Sequence, residues 1–100
     1  MATTSKTLFR GAASTSSATL YTVPASTTTV VTNILVTNTA VNDATFNILL
    51  DDVSAATTVT VGGHDTTVID LKQVLATTKT IKGLASAVTV NFHISGVEIA

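Results

Sequence analysis

Cysteine and tryptophan are absent from this 100-residue chain, proline and tyrosine occur once each, and charge is scarce. Without cysteine there is neither a disulfide framework nor a thiolate metal site, so packing and hydrogen bonds alone must hold the fold. Charged residues make up 11% of the chain, less than half of the roughly 25% of an average domain. A net charge of −1 offers no basic field for nucleic acid and no cationic face for a membrane. Only four aromatic residues are present, Phe9, Tyr21, Phe46 and Phe92, too few for base-stacking platforms and a weak basis for holding a sugar ring. Long apolar runs are missing too. Hydrophobic residues reach 45% and mean hydropathy +0.51, yet Thr, Ser, Asn or Asp interrupts every segment before the ~18 residues of a membrane span. The opening MATTSKTLFRGAAS lacks the apolar core of a signal peptide, which predicts a soluble chain made in the cytoplasm.

What is abundant is Thr, with 22 copies, and Val, with 13. Both are stiff at χ1 and fit a pleated surface better than a helix. Apolar-rich segments recur about every ten residues with turn residues between them, the spacing of a sandwich or barrel. Strands are expected over residues 7–13, 18–23, 28–40, 44–52, 57–61, 67–72, 80–85 and 87–95. Residues 73–79 read as a loop or one helical turn. About eight strands in one domain predict an all-β, two-sheet antiparallel sandwich, jelly-roll or immunoglobulin-like. Residues 1–6 read as a flexible arm and 7–100 as the single domain.

Several residues fix inner faces. Ala44, Phe46, Ile48 and Leu50 alternate, as do Val59 with Val61, Ile69 with Leu71, and Val88 with Val90, Phe92 and Ile94. After Gly96 the phase flips to Val97 and Ile99, which a bulge at Gly96 would explain; alternatively, those two residues leave the core face to meet another subunit. In residues 28–40 apolar side chains fall on both parities. Val30, Ile34 and Val36 are assigned to the core, and Val31 and Leu35 to an outer face that a neighbouring copy would cover. Gly62-Gly63 is expected to supply positive φ in a hairpin-like loop.

Catalytic chemistry has little to build on. His64-Asp65 could pair an imidazole with a carboxylate, but there is no Cys nucleophile and no G-x-S-x-G elbow. Asp43, Asp51 and Asp52 lack the spacing of a hard-cation loop, and His64 with His93 cannot complete a zinc site. No enzyme activity, metal or cofactor is expected. Lys79 and Lys82 read as solubilising charges on a strand edge. Lys6 and Arg10, with Phe9, are the candidates for partner contact near the N-terminus.

The ordered set LYTVPASTTTVVTNILVTNTA, TVIDLKQVLATTKTIKG and VNFHISGVEIA resembles small virion structural proteins of tailed bacteriophages. In that family a Y-x-V-P-A run precedes a long Thr/Val strand ending in N-T, and a V-x-x-S-G-V-E strand closes the domain. The matching residues are Tyr21, Val23, Pro24, Ala25, Asn38, Thr39, Ser95, Gly96, Val97 and Glu98, spread over residues 18–99. The resemblance implies a β-sandwich in the virion, assembled in the host cytoplasm as a homo-oligomer, a trimer being favoured. Its partner would be the major capsid protein or another virion protein. A capsid decoration (cement) protein is the first expectation; a tail, neck, baseplate or fibre-associated module, recognising a host surface through loops 62–66 and 73–79, is the alternative.

Overall fold

The computed structural model describes residues 2–100. Its elements are β1 (Thr3–Ala12), β2 (Ala18–Thr22), β3 (Thr28–Asn38), β4 (Ala44–Leu50), β5 (Val53–Val61), β6 (Thr66–Leu75), β7 (Thr80–Ala85) and β8 (Val90–Ile99). They form two antiparallel four-stranded sheets, ordered β1-β8-β3-β6 and β2-β7-β4-β5. The pairs β1–β8, β2–β7, β3–β6 and β4–β5 are nested one inside the next. The chain is thus one long hairpin, doubled at its centre and rolled so that successive pairs land in opposite sheets. That connectivity is the jelly roll, and it decides between the two sandwich types expected from sequence.

The centre of the nested hairpin is Asp51-Asp52. Leu50 pairs with Val53, and the two aspartates between them have φ of 55° and 60°, the left-handed pair that a two-residue I′ turn demands. The strand expected over 44–52 therefore stops at Leu50. Residues 53–56, which lie between two of the expected strands, open β5. Likewise β6 runs on through Leu75, so residues 73–75 are strand and no helical turn forms there.

Facing side chains fill the space between the sheets. Phe46, Ile48, Val61 and Ile81 from one sheet meet Ile34, Val36, Val90, Phe92 and Ile94 from the other, all essentially without exposed surface. The Phe46 and Phe92 rings meet edge to face, with centroids 6.0 Å apart and planes at 70°, a geometry worth about 1 kcal/mol beyond area burial. Val88 does not join them: it lies exposed in the turn ahead of β8.

Two expectations about phase are corrected. β8 keeps strict alternation through Gly96, with Val90, Phe92, Ile94 and Gly96 all inward, and the irregularities sit on its neighbours. Leu8 is the extra residue in β1, where Thr7 and Phe9 face Ser95 and Ile94. Thr32 is the extra residue in β3, where Val31 and Asn33 face Gly96 and Ser95. Gly96 is needed because the neighbours close over it: a Cβ there would stand 2.3 Å from the Val30 carbonyl oxygen and 2.8 Å from Leu8 Cδ1. The bulge at Thr32 also switches the inward parity of β3 from Thr29 and Val31 to Ile34, Val36 and Asn38. Val31 is therefore fully buried and Val30 faces outward, the reverse of the expected assignment.

The amino-terminal arm is corrected as well. Thr3 through Lys6 pair with Ile99 through Gly96, and Ala2 and Ala100 exchange backbone hydrogen bonds of 3.0 and 2.8 Å. Ladder bonds need no apolar side chain, and β-branched Thr suits an edge strand, so a polar run pairs where hydrophobicity gives no signal. Met1, the remaining residue of that expected arm, lies outside the described residues. Nor does any glycine adopt positive φ; His64 carries it beside Gly62-Gly63. Gly63 serves a close approach, since a Cβ would fall 2.0 Å from the Val41 carbonyl oxygen.

Candidate functional site

The five residues proposed for contact do not form one patch. Val31 is core. Phe9 is half-buried and packs against the core from β1. Lys6 pairs with Glu98 at 3.3 Å, which ties its ammonium to the sandwich and not to a free arm. Arg10 and Leu35 do come together. The cross-strand registers Arg10–His93, His93–Leu35 and Leu35–Val68 lay one transverse row over the outer face of the first sheet. Within it Arg10 Nε donates to His93 Nδ1 at 3.2 Å.

Two of the residues quoted from the sequence, Tyr21 and Glu98, are joined to each other. Tyr21, on β2, reaches across the sandwich and its hydroxyl donates to the Glu98 carboxylate on β8. The same oxygen lies 2.8 Å from Thr29 Oγ1; with the tyrosine proton committed to Glu98, Thr29 is the donor. Burial, reinforced by the adjacent carboxylate, pushes the Tyr21 hydroxyl up to about 12. The tyrosine hydrogen bond, helped by the Lys6 ammonium and opposed by burial, holds Glu98 below its ordinary value. At the far end Asn38 is fully buried. Its amide donates to the Asn42 and Val61 carbonyls at 2.7 and 3.4 Å and accepts from Ala40 N–H at 3.1 Å and Thr89 Oγ1 at 3.2 Å. Thr39 Oγ1 adds a bond to the Thr89 carbonyl at 2.9 Å. These motif residues fasten the two ends of the jelly roll.

The remaining charges have structural partners with one exception. Lys82 pairs with Asp52 at 2.6 Å and Lys79 with Asp51 at 3.7 Å, bracing the central turn. Asp43 accepts from Gly63 N–H at 3.1 Å, and Asp70 from Asn33 Nδ2 at 3.2 Å. Lys72 has neither an ion pair nor a side-chain hydrogen bond among the described residues. Among those residues no three His, Asp or Glu side chains gather into a set that could hold a metal.

What sequence reasoning missed is the flank of the sandwich where β5 and β6 end their sheets. Between them lies a cleft of about 420 Å³ lined largely by Ile48, Leu50, Val53, Ala56, Ile69 and Leu71. Among the described residues five large hydrophobic side chains are exposed, and three of them, Val53, Val68 and Val74, belong to these two edge strands. The available signal was the continued alternation of TTVIDLKQVL: its even positions, Val68, Asp70, Lys72 and Val74, all face solvent, while Ile69, Leu71 and Leu75 turn inward. Ending that strand at Lys72 hid Val74.

No protein-family model matches the chain, and a search of curated proteins finds no match to it.

Proposed function

We propose that the chain is a structural protein of a phage virion, a capsid decoration protein that binds and stabilises the shell as an oligomer. The observation that carries this reading is the jelly-roll connectivity of a chain with 11% charged residues. Jelly rolls recur as viral capsid and lectin domains, and a surface so poor in charge suits permanent association better than free solution. The step from fold to role is an analogy, taken together with the resemblance to phage virion proteins read from the sequence. Arg10, Leu35 and Val68, in one outward row, offer a mixed polar and apolar face to a capsid subunit.

Quantitative mass spectrometry of intact, purified particles tests the reading. Copies on the order of hundreds per particle support decoration of a multi-subunit shell. A copy number of a few to a few dozen points to a tail or neck component, and absence from particles overturns the virion assignment.

A further inference from the structure

We infer that β6 is a self-pairing edge: two copies join β6 to β6 antiparallel about a two-fold axis through Leu71, extending β1-β8-β3-β6 into a continuous eight-stranded sheet. Among the described residues β6 pairs only with β3, so its other side presents unsatisfied ladder groups, the feature that templates strand addition. A two-fold perpendicular to the sheet keeps outward residues outward. It sets Val68 against Val74 of the second copy, Asp70 against Lys72, Leu71 against its own mate, and Ile69 against Gln73. Both exposed valines thus meet an apolar partner, and Lys72, which has neither an ion pair nor a side-chain hydrogen bond among the described residues, meets a carboxylate.

Charge also selects the register. Directly opposed residues in an antiparallel pair share a face, so the nearest alternative axes pass through Asp70 or Lys72. One stacks Asp70 on Asp70 and the other Lys72 on Lys72, both unfavourable. The other edges fit less well. β5 carries two register shifts and a positive φ at Thr58, defects that blunt an edge. β2 has only five residues, and β1 presents mainly Thr, Ser and Arg outward. The single irregularity of β6, between Asp70 and Gln73, falls at the axis and leaves regular strand on either side. The cleft between β5 and β6 opens on the flank that the second copy approaches, so Leu71 and Val53 lose water on pairing.

This contact supplies the oligomer of the proposed function but needs no capsid, so the purified chain tests it separately from the virion assignment. One edge pairing is a small interface, so micromolar affinity is expected in solution, with high local concentration sustaining it on a surface. Sedimentation should show a monomer–dimer equilibrium. Asp70→Lys and Lys72→Asp each replace two attractive pairs by two repulsive ones and should weaken dimerisation roughly tenfold or more. An equimolar mixture of the two variants restores both pairs and should recover a heterodimer of wild-type affinity. The chain has no cysteine, so Leu71→Cys should form a disulfide-linked dimer on oxidation. Val68→Cys, about six residues from its mate along the paired strands and hence ~20 Å away, should not. A wild-type monomer or trimer, single variants that dimerise normally, a mixture that fails to recover, or cross-linking through Val68→Cys and not Leu71→Cys would each overturn the assignment. Circular dichroism of every variant separates lost pairing from lost folding, and the cysteine pair decides the register if a charge variant fails to fold.

Discussion

Val31 and Leu35 sit four residues apart in β3 and point to opposite faces, because Thr32 intervenes as a bulge. Their substitutions should therefore diverge. Val31→Asp places a carboxylate where no surface is exposed. A penalty of about 4 kcal/mol or more is expected, a large share of the stability of a domain this size. Leu35→Asp, half-exposed beside His93 and near Arg10, should change stability by less than about 1 kcal/mol. Urea denaturation midpoints measure both; similar losses would mean that the bulge is misplaced. Asn38 gives a second residue-scale expectation. Asn38→Ala strips donors and an acceptor from four partners, three of them in buried or half-buried residues, and should cost about 2 kcal/mol, whereas Asn42→Ala, exposed in the same loop and bonded through its backbone carbonyl, should cost little.

At the scale of elements, alternation was readable wherever one strand kept one phase. Phe46, Ile48 and Leu50, and Val90, Phe92 and Ile94, were assignable to inner faces because nothing interrupts them. Parity failed in β3 because a bulge adds one residue without leaving a Gly or Pro to mark it. The arm at Thr3–Lys6 was misread because backbone pairing carries no hydrophobic signature. Of the contact residues, Arg10 and Leu35 lie on an outward face, Lys6 is exposed and paired with Glu98, and Phe9 and Val31 pack against or within the core. Strand order decides which residues share a row, and it is a property of pairing across the whole chain. The β4–β5 turn lends itself to a direct experiment. Asp52 holds φ of 60°, where a Cβ is costly and glycine is at ease. Asp52→Ala and Asp52→Gly both remove the Lys82 ion pair, so their difference isolates the backbone. The glycine variant should be more stable than the alanine variant by about 1 kcal/mol. Equal thermal midpoints would argue against a left-handed turn at Asp51-Asp52.

At the scale of the molecule, the two sheets are joined mainly by apolar contact, and the Tyr21–Glu98 bond is a polar link between them. Its chemistry predicts how stability varies with pH at both extremes. Glu98 is held below its ordinary value of 4.5, chiefly by the tyrosine hydrogen bond. Its contribution is therefore complete above that value and is lost as pH falls through the depressed folded-state pKa. Tyr21 is raised from 10.0 to about 12, chiefly by burial. The unfolded chain gives up the phenolic proton first, so this stabilisation is present below pH 10 and is lost as pH rises toward 12. The chain contains one Tyr and no Trp, so tyrosinate absorbance reports this site alone. Titration of the folded protein should show a midpoint well above 10. Glu98→Gln should lower it only part of the way, because burial remains the larger cause, and should flatten the acid limb of the stability curve. A tyrosine that titrates near 10 in the folded wild type would mean that the link across the sheets does not form in solution, and the closure of this end of the jelly roll would then rest on Thr29, Val23 and their apolar neighbours alone.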